Sequence, residues 1–549
     1  MRLGIDLGTT RTLIAVEDRG NYPLVGFTDS NGDLLDHYPT ISAEVEGALV
    51  HGPDADAAAR GGAPALYSWK RLLSRLGAGD AVRVGRLEMS MLDLVTSYLE
   101  ALRRDLFVRS NLPPGLADPL EAVVSVPANA HSTQRFVTLE AFRRAGFDVR
   151  AVLNEPSAAG IEYAHRHRTT ITSRREHVVV YDLGGGTFDA ALVLLSDGRH
   201  DVVTTSGVAR LGGDDFDAVL LDLALERAGL GSAADLAPSE LALLTFECRT
   251  AKEALNPNSR RVVLELEALG SRAPAQPVVV DVAAYYERVR PLVQRTLDAL
   301  EPVLARAPAL ALDAPPDSAS LDGAGAPDSA AAPESRRPSS RPPSRRTGAR
   351  SDAPREVADG DLAGIYVVGG ASGLPIVPRT LRERFGRRVF RSPHPAGATA
   401  MGLAIVAASE APPPVTEVLT RHLGVFRERD GGAYVSFDEI LPKGTALAGQ
   451  GASIAAVRRY RAAHNVGHFR FVECGSLDPA GDPTGDITPH ADVLFPFATD
   501  LVGNDLAAVP IERLGEGPLV EERYEVDAAG IVAVTITNLD AGYAQSYVL

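Results

Sequence analysis

Up to about residue 408 the chain alternates short apolar runs with longer stretches in which apolar residues recur every three or four positions. Runs at 3–7, 122–126, 178–183, 190–195, 262–266 and 365–368 predict strands. A helical period predicts helices over 91–107, 132–145, 214–228, 239–255, 282–305 and 375–385. Such alternation reads as α/β architecture. Between 307 and 356 the pattern gives way to Pro, Ser, Ala, Gly, Asp and Arg, including Arg336-Arg337-Pro338-Ser339-Ser340-Arg341. Too few large apolar groups are present there to offset the entropy of ordering, so this stretch is expected to be a disordered insertion on a folded body.

Three consecutive prolines, Pro412 to Pro414, continue neither a helix nor a central strand, and mark a linker. Beyond them helical patterns disappear. Short alternating runs at 433–437, 453–459, 467–472, 519–526 and 531–537, separated by Gly and Asp turns, predict an antiparallel β-sandwich. Residues 524–532 predict one of its hairpins. At 549 residues and 45% hydrophobic content the chain is long enough for more than one core. The expected division is therefore 1–410, a linker at 411–417, and 418–549.

A net charge of −16 argues against a general nucleic-acid or anionic-membrane binder. Cys248 and Cys474 are too few for a disulfide framework or a zinc site. The N-terminus enters the first predicted strand without a signal-peptide pattern, and no apolar run approaches the roughly 18 residues that span a bilayer. A reducing cytoplasm is the expected compartment.

Candidate chemistry lies in one device written twice. Gly4-Ile5-Asp6-Leu7-Gly8-Thr9-Thr10 and Tyr181-Asp182-Leu183-Gly184-Gly185-Gly186-Thr187-Phe188-Asp189 each run from an apolar strand through an aspartate into a glycine turn and hydroxyl residues. Glycine lets backbone N–H groups approach phosphate oxygens without an intervening Cβ, and threonine hydroxyls add donors. An aspartate at a strand end suits a carboxylate that holds Mg²⁺ through its waters. Two tight hairpin turns would give the same letters, but their matching order favours a two-part nucleotide clamp. No G-x-x-x-x-G-K-[ST] stretch occurs. Of 55 basic residues only Lys70, Lys252 and Lys443 are lysines, so a retained lysine marks a place that needs a compact ammonium.

These motifs together resemble a DnaK-type chaperone of the seventy-kilodalton heat-shock family over nearly the whole chain. Gly4 to Thr10 resembles the family's first phosphate loop, Lys70-Arg71-Leu72 its catalytic lysine segment, and Val124 to Ala128 its V-P-A strand end. Asn154-Glu155-Pro156-Ser157-Ala158-Ala159 resembles the connecting N-E-P-T-A-A. Asp182 to Asp189 matches D-L-G-G-G-T-F-D in full, and Leu211 to Asp217 matches L-G-G-x-D-F-D.

The resemblance implies an actin-like, ribonuclease H-like ATPase with two lobes, about 1–175 and 176–410, followed by a β-sandwich substrate-binding-like domain. It implies ATP and Mg²⁺ as cofactors, with Asp6 and Asp182 positioning the hydrated metal. Lys70 would place the attacking water and stabilise γ-phosphate charge, Glu155 would orient that water or a metal ligand, and Thr9, Thr10 and Thr187 would donate to phosphates. Gly8, Gly184, Gly185, Gly186, Gly212, Gly213, Lys252, Gly369 and Gly370 would line the nucleotide. Implied partners are unfolded client polypeptide, a J-domain co-chaperone and a nucleotide exchange factor, with neither nucleic acid nor membrane.

Departures bear on the base. Where the family writes G-G-S-x-R-x-P the chain has Gly369-Gly370-Ala371-Ser372-Gly373-Leu374-Pro375, without the arginine expected to stack on adenine. Arg249, where the family commonly has glutamate, is expected to replace it. N-P-D-E-A becomes His394-Pro395-Ala396-Gly397-Ala398, and the apolar linker becomes Val415-Thr416-Glu417-Val418-Leu419-Thr420. Matches in the second part are Leu441 to Thr445 and Val526 to Ile531, and no helical lid follows before Leu549, so bound peptides are expected to exchange quickly. A peptide-binding ATPase chaperone is the first reading. A nucleotide-gated scaffold for a dedicated partner, with little or no turnover, is the alternative. A small-molecule kinase of the same fold superfamily is disfavoured by the second part.

Overall fold

A computed structural model describes residues 2–115, 118–167, 176–196, 199–306, 362–409, 415–448, 452–490 and 492–549. The predicted insertion at 307–356 and the prolines of the linker lie outside the described residues.

The doubled motif is doubled in space. Strand Arg2–Leu7 pairs antiparallel with Arg11–Val16 on one side and parallel with Leu120–Val126 on the other. Strand His177–Leu183 repeats this, antiparallel to Phe188–Ser196 and parallel to Leu362–Val368. Each is the middle strand of a mixed sheet, one of five strands and one of six. Burial on both faces explains why both middle strands are near-continuous apolar runs. The hairpin and phosphate-loop readings thus coincide: each glycine motif turns a hairpin whose mouth lies at the strand's carboxyl end.

Two helices absent from the periodicity reading, Glu155–Arg166 and Ala398–Ala408, connect the two sheets. Both are rich in Ala and Gly, and nine residues of each are buried, so no polar stripe marks them. Small residues let them pack backbone to backbone. A Cβ at Gly402 would stand 1.8 Å from Ala158 O, and one at Gly4 would stand 2.2 Å from Ala404 N. Ala159 and Tyr163 bury against Val178, Val180, Ala191 and Val193 of the second sheet. Leu403 and Val406 share a core with Val123 and Leu153 of the first.

After residue 415 the chain forms antiparallel sheets. Four strands, in order Tyr434–Leu441, His422–Arg429, Phe471–Leu477 and Pro483–Pro489, make one sheet. Ile454–Arg461, Leu519–Val526, Val532–Asn538 and Tyr543–Val548 make a second four-stranded sheet. One apolar core with Leu423, Phe471, Val520, Tyr524 and Ile536 joins them. The expected strand at 467–472 is two strands, Val466–Phe469 and Phe471–Leu477, in different sheets, with the exposed Arg470 at the crossing. Short 3-10 turns at Asp430–Gly432, Thr499–Leu501 and Leu506–Ala508 are the helical pieces described here. Among the described residues no helix is long and apolar enough to cross a membrane.

Candidate functional site

The mouths of the two hairpins open on a cavity of about 1040 Å³. Asp6, Gly8, Thr9 and Thr10 reach its wall from one side, and Asp182, Gly184, Gly185 and Thr187 from the other. Lys70, Glu155, Gly213, Lys252, Gly369 and Gly370 complete the predicted set on that wall. Gly186 and Gly212 do not line it. A Cβ at Gly186 would stand 2.7 Å from Thr9 Oγ1, and one at Gly212 would stand 2.5 Å from Gly185 O, so both glycines serve close packing of loop on loop. Gly369, at φ +83°, adopts a left-handed backbone, and a Cβ there would stand 2.3 Å from Leu183 O and 2.4 Å from Asp182 Oδ1.

Lys70 sits on the 3-10 turn Trp69–Ser74, anchored by the fully buried Trp69. Its ammonium donates to Glu155 Oε1 at 2.8 Å, and both side chains are nearly excluded from solvent. Glu155 is the first residue of its helix, where the N-terminal dipole favours a carboxylate, so the structural and chemical reasons for this residue operate together. Ser125 Oγ donates to Asp6 Oδ1 at 2.9 Å from the adjoining strand.

Close around Lys70, carboxylates outnumber the ammonium. Burial first, and then repulsion from Glu155, raise Asp6 to about 7. Asp189, which sequence reasoning did not single out, is also raised to about 7, by burial and Glu155. Asp182 stands well above the ordinary carboxylate range, through burial, Glu155, Asp189 and Asp6. Burial opposes the charge on Lys70, but Glu155, Asp6 and Asp189 outweigh it and hold the ammonium above its ordinary value. Asp6, Glu155 and Asp182 on the wall and Asp189 behind it thus crowd around Lys70, and a divalent cation would relieve the repulsion that raises the three aspartates. Among the described residues no group of three or more His, Cys, Asp or Glu is placed to chelate an ion. The donor set suits a hydrated cation held by two aspartates through its waters.

Lys252 is engaged: Nζ donates to Gly213 O at 2.9 Å and pairs with Asp217 Oδ1 at 2.6 Å, which fixes the start of helix Gly213–Ala228 on the cavity wall. Arg249 lines the cavity, as expected, with its head engaged by acids. Its guanidinium is held by Asp214 at 3.1 Å and Asp217 at 3.4 Å. Arg71, also missed, joins Asp214 at 3.5 Å and Asp215 at 3.2 Å and ties the lysine turn to that helix. Arg11 pairs with Glu253, and Arg60 lies 4.7 Å from the Phe246 ring centroid, so other contacts join the two sides. Adjacency to Lys70 and the paired acids of the Gly213 turn were the available signals for Arg71.

A family model for Hsp70 protein matches residues 116–313. The chaperone protein HscA homolog of Burkholderia multivorans is 32% identical over 422 residues, 74% of this chain and 58% of that protein. The HscA homologs of Burkholderia cenocepacia and Burkholderia pseudomallei are each 31% identical over the same shares. The chain belongs to the Hsp70 family. It spans about 58% of the length of the relatives it matches. Within this Hsp70 the matched segment carries Glu155, Asp182, Thr187, Gly213 and Lys252, whereas Asp6 and Lys70 precede it.

Proposed function

We propose that this chain is an ATP-hydrolysing chaperone in which an actin-like, two-lobed nucleotide domain at 1–410 governs polypeptide binding by a β-sandwich at 418–549, joined by the linker at 411–417. The observation that carries the reading is the Lys70–Glu155 pair, buried at 2.8 Å where two aspartate-glycine hairpins converge.

Backbone N–H groups of the glycine turns and the hydroxyls of Thr9, Thr10 and Thr187 take the phosphates. Asp6 and Asp182 hold hydrated Mg²⁺, which when bound neutralises phosphate charge and their own mutual repulsion. Lys70 Nζ orients the attacking water and meets charge building on the γ-phosphate, while Glu155 fixes the ammonium. This division suits phosphoryl transfer, where positioning and preorganised charge supply most of the acceleration.

Coupling to the second part has a covalent and a packed route. Val415–Thr416 adds as a parallel strand to Arg199–Val208 of the second sheet. Ser132 N–H donates to Glu473, and Val532 N–H donates to Ser132 Oγ, both at 2.9 Å and buried. Steady-state ATP turnover with and without a permanently unfolded polypeptide tests the coupling. Acceleration by polypeptide supports it, and ATP binding with no turnover under either condition favours the nucleotide-gated scaffold.

A further inference from the structure

We infer that Arg391 supplies the guanidinium face against which the base of the bound nucleotide stacks, in place of a side chain at Gly373; this rests on the nucleotide reading above. Strand Val389–Arg391 lies at the edge of the six-stranded sheet, its Arg391 paired in register with Val367. Alternation along a strand sets Arg391 on the same face as Val389 and opposite Phe390. Val389 buries in the core that holds Ala371 and Leu374, while Phe390 packs beneath Gly364 on the other face. Arg391 is therefore directed to the side of the sheet where the 369–375 loop forms the cavity wall.

The loop has made room for it. A Cβ built at Gly373 would stand 3.2 Å from Arg391 Nη2, so the two positions compete for one space. Both residues line the cavity. Among the described residues Arg391 has no ion-pair or hydrogen-bond partner, and its side chain is exposed. Of the other guanidiniums on this wall, Arg249 is engaged by Asp214 and Asp217 and Arg379 by Glu383 at 3.8 Å and the Tyr286 ring at 5.7 Å; Arg382 is also exposed on the wall, but the group that stands within 4 Å of a Cβ at Gly373 is Arg391. A planar, weakly hydrated guanidinium with a free face stacks on an aromatic ring, and every nucleobase offers such a face.

Isothermal titration of the full chain with Mg-ATP and with Mg-tripolyphosphate, which lacks base and ribose, separates this contact from the phosphate site. Arg391→Ala is expected to weaken ATP about ten-fold, the range of a partly desolvated cation–π contact, and to leave tripolyphosphate unchanged. The double variant Arg391→Ala/Gly373→Arg, in which the space at 373 has been vacated, is expected to recover most of the loss. Unchanged ATP affinity in Arg391→Ala, or equal losses for both ligands, overturns the inference. An ATP-selective loss in Arg249→Ala together with a silent Arg391→Ala would overturn it in favour of Arg249. Wild type that binds tripolyphosphate as tightly as ATP overturns the base contact alone, whereas wild type that binds neither overturns the nucleotide reading beneath it.

Discussion

Glu417 accepts hydrogen bonds from the backbone N–H of Asn154 at 2.9 Å and from its side-chain amide at 2.5 Å, and Asn154 directly precedes Glu155. Arg135 donates to the Asn154 side-chain oxygen at 2.7 Å and to Ala529 O at 3.2 Å. One residue past the linker strand thus grips the start of the helix that presents Glu155 to Lys70, and the β-sandwich hairpin reaches the same place through Arg135.

Glu417→Ala leaves two donors of a buried asparagine without that acceptor, at a cost of about 1–3 kcal/mol. The expected result is a Tm lowered by a few degrees, with faster amide hydrogen exchange at residues 154–157. Unchanged exchange there would show that Glu417 does not hold the helix start.

Asp6 gives a pH dependence of definite sign. Its folded-state value, about 7, lies above the ordinary 3.8, so without nucleotide or metal the folded protein holds a proton that the unfolded chain releases. That arrangement is fully favourable below pH 4, and its contribution is lost as pH rises through 7. Asp6→Asn is therefore expected to raise the Tm of the nucleotide-free protein by an amount that grows from pH 4 to 7 and is constant above. A gain that shrinks over the same range would contradict the assigned shift.

At the contact between sandwich and helix Ser132–Arg144 the signs reverse. Burial works against Glu473, but His490 at 3.1 Å and Arg421 hold its carboxyl down to about 2. Burial holds His131 down to about 4. The His131 contribution is lost as pH falls from 6.5 to 4, and that of Glu473 as it falls from 4.5 to 2. Acid should thus destabilise this contact in two steps, and Glu473→Gln should remove the lower one in a pH series of thermal melts.

Gly369→Ala tests loop geometry. A Cβ there meets Leu183 O and Asp182 Oδ1 in a left-handed backbone, so the substitution should displace Asp182 and weaken Mg-ATP binding at least ten-fold. Titration with and without Mg²⁺ reads the effect, and undiminished affinity would detach Gly369 from the metal-side aspartate.

Legibility followed the physics of each element. Strands 178–183 and 519–526 and the helix from residue 91 carry a strong period, and the structure has them within a residue or so. Helices Glu155–Arg166 and Ala398–Ala408 were invisible to periodicity because burial on nearly all sides erases the polar stripe; only the motif at Asn154 pointed to the first. The glycine-aspartate motifs and the scarcity of lysine identified the residues that meet at the cavity. Arg71, Asp189 and Arg391 escaped because their partners lie far along the chain or, for Arg391, because its place beside Gly373 depends on strand register. Arg249 lines the cavity as expected, but sequence could not report the two aspartates that engage it.

Single-turnover hydrolysis of ATP by wild type and Lys70→Ala, each first shown to bind Mg-ATP, tests the catalytic role of the Lys70–Glu155 pair. Loss of preorganised charge at the γ-phosphate is expected to slow the chemical step by about 10²–10³ while binding persists. Equal rates in the two proteins would contradict a catalytic role for the Lys70–Glu155 pair.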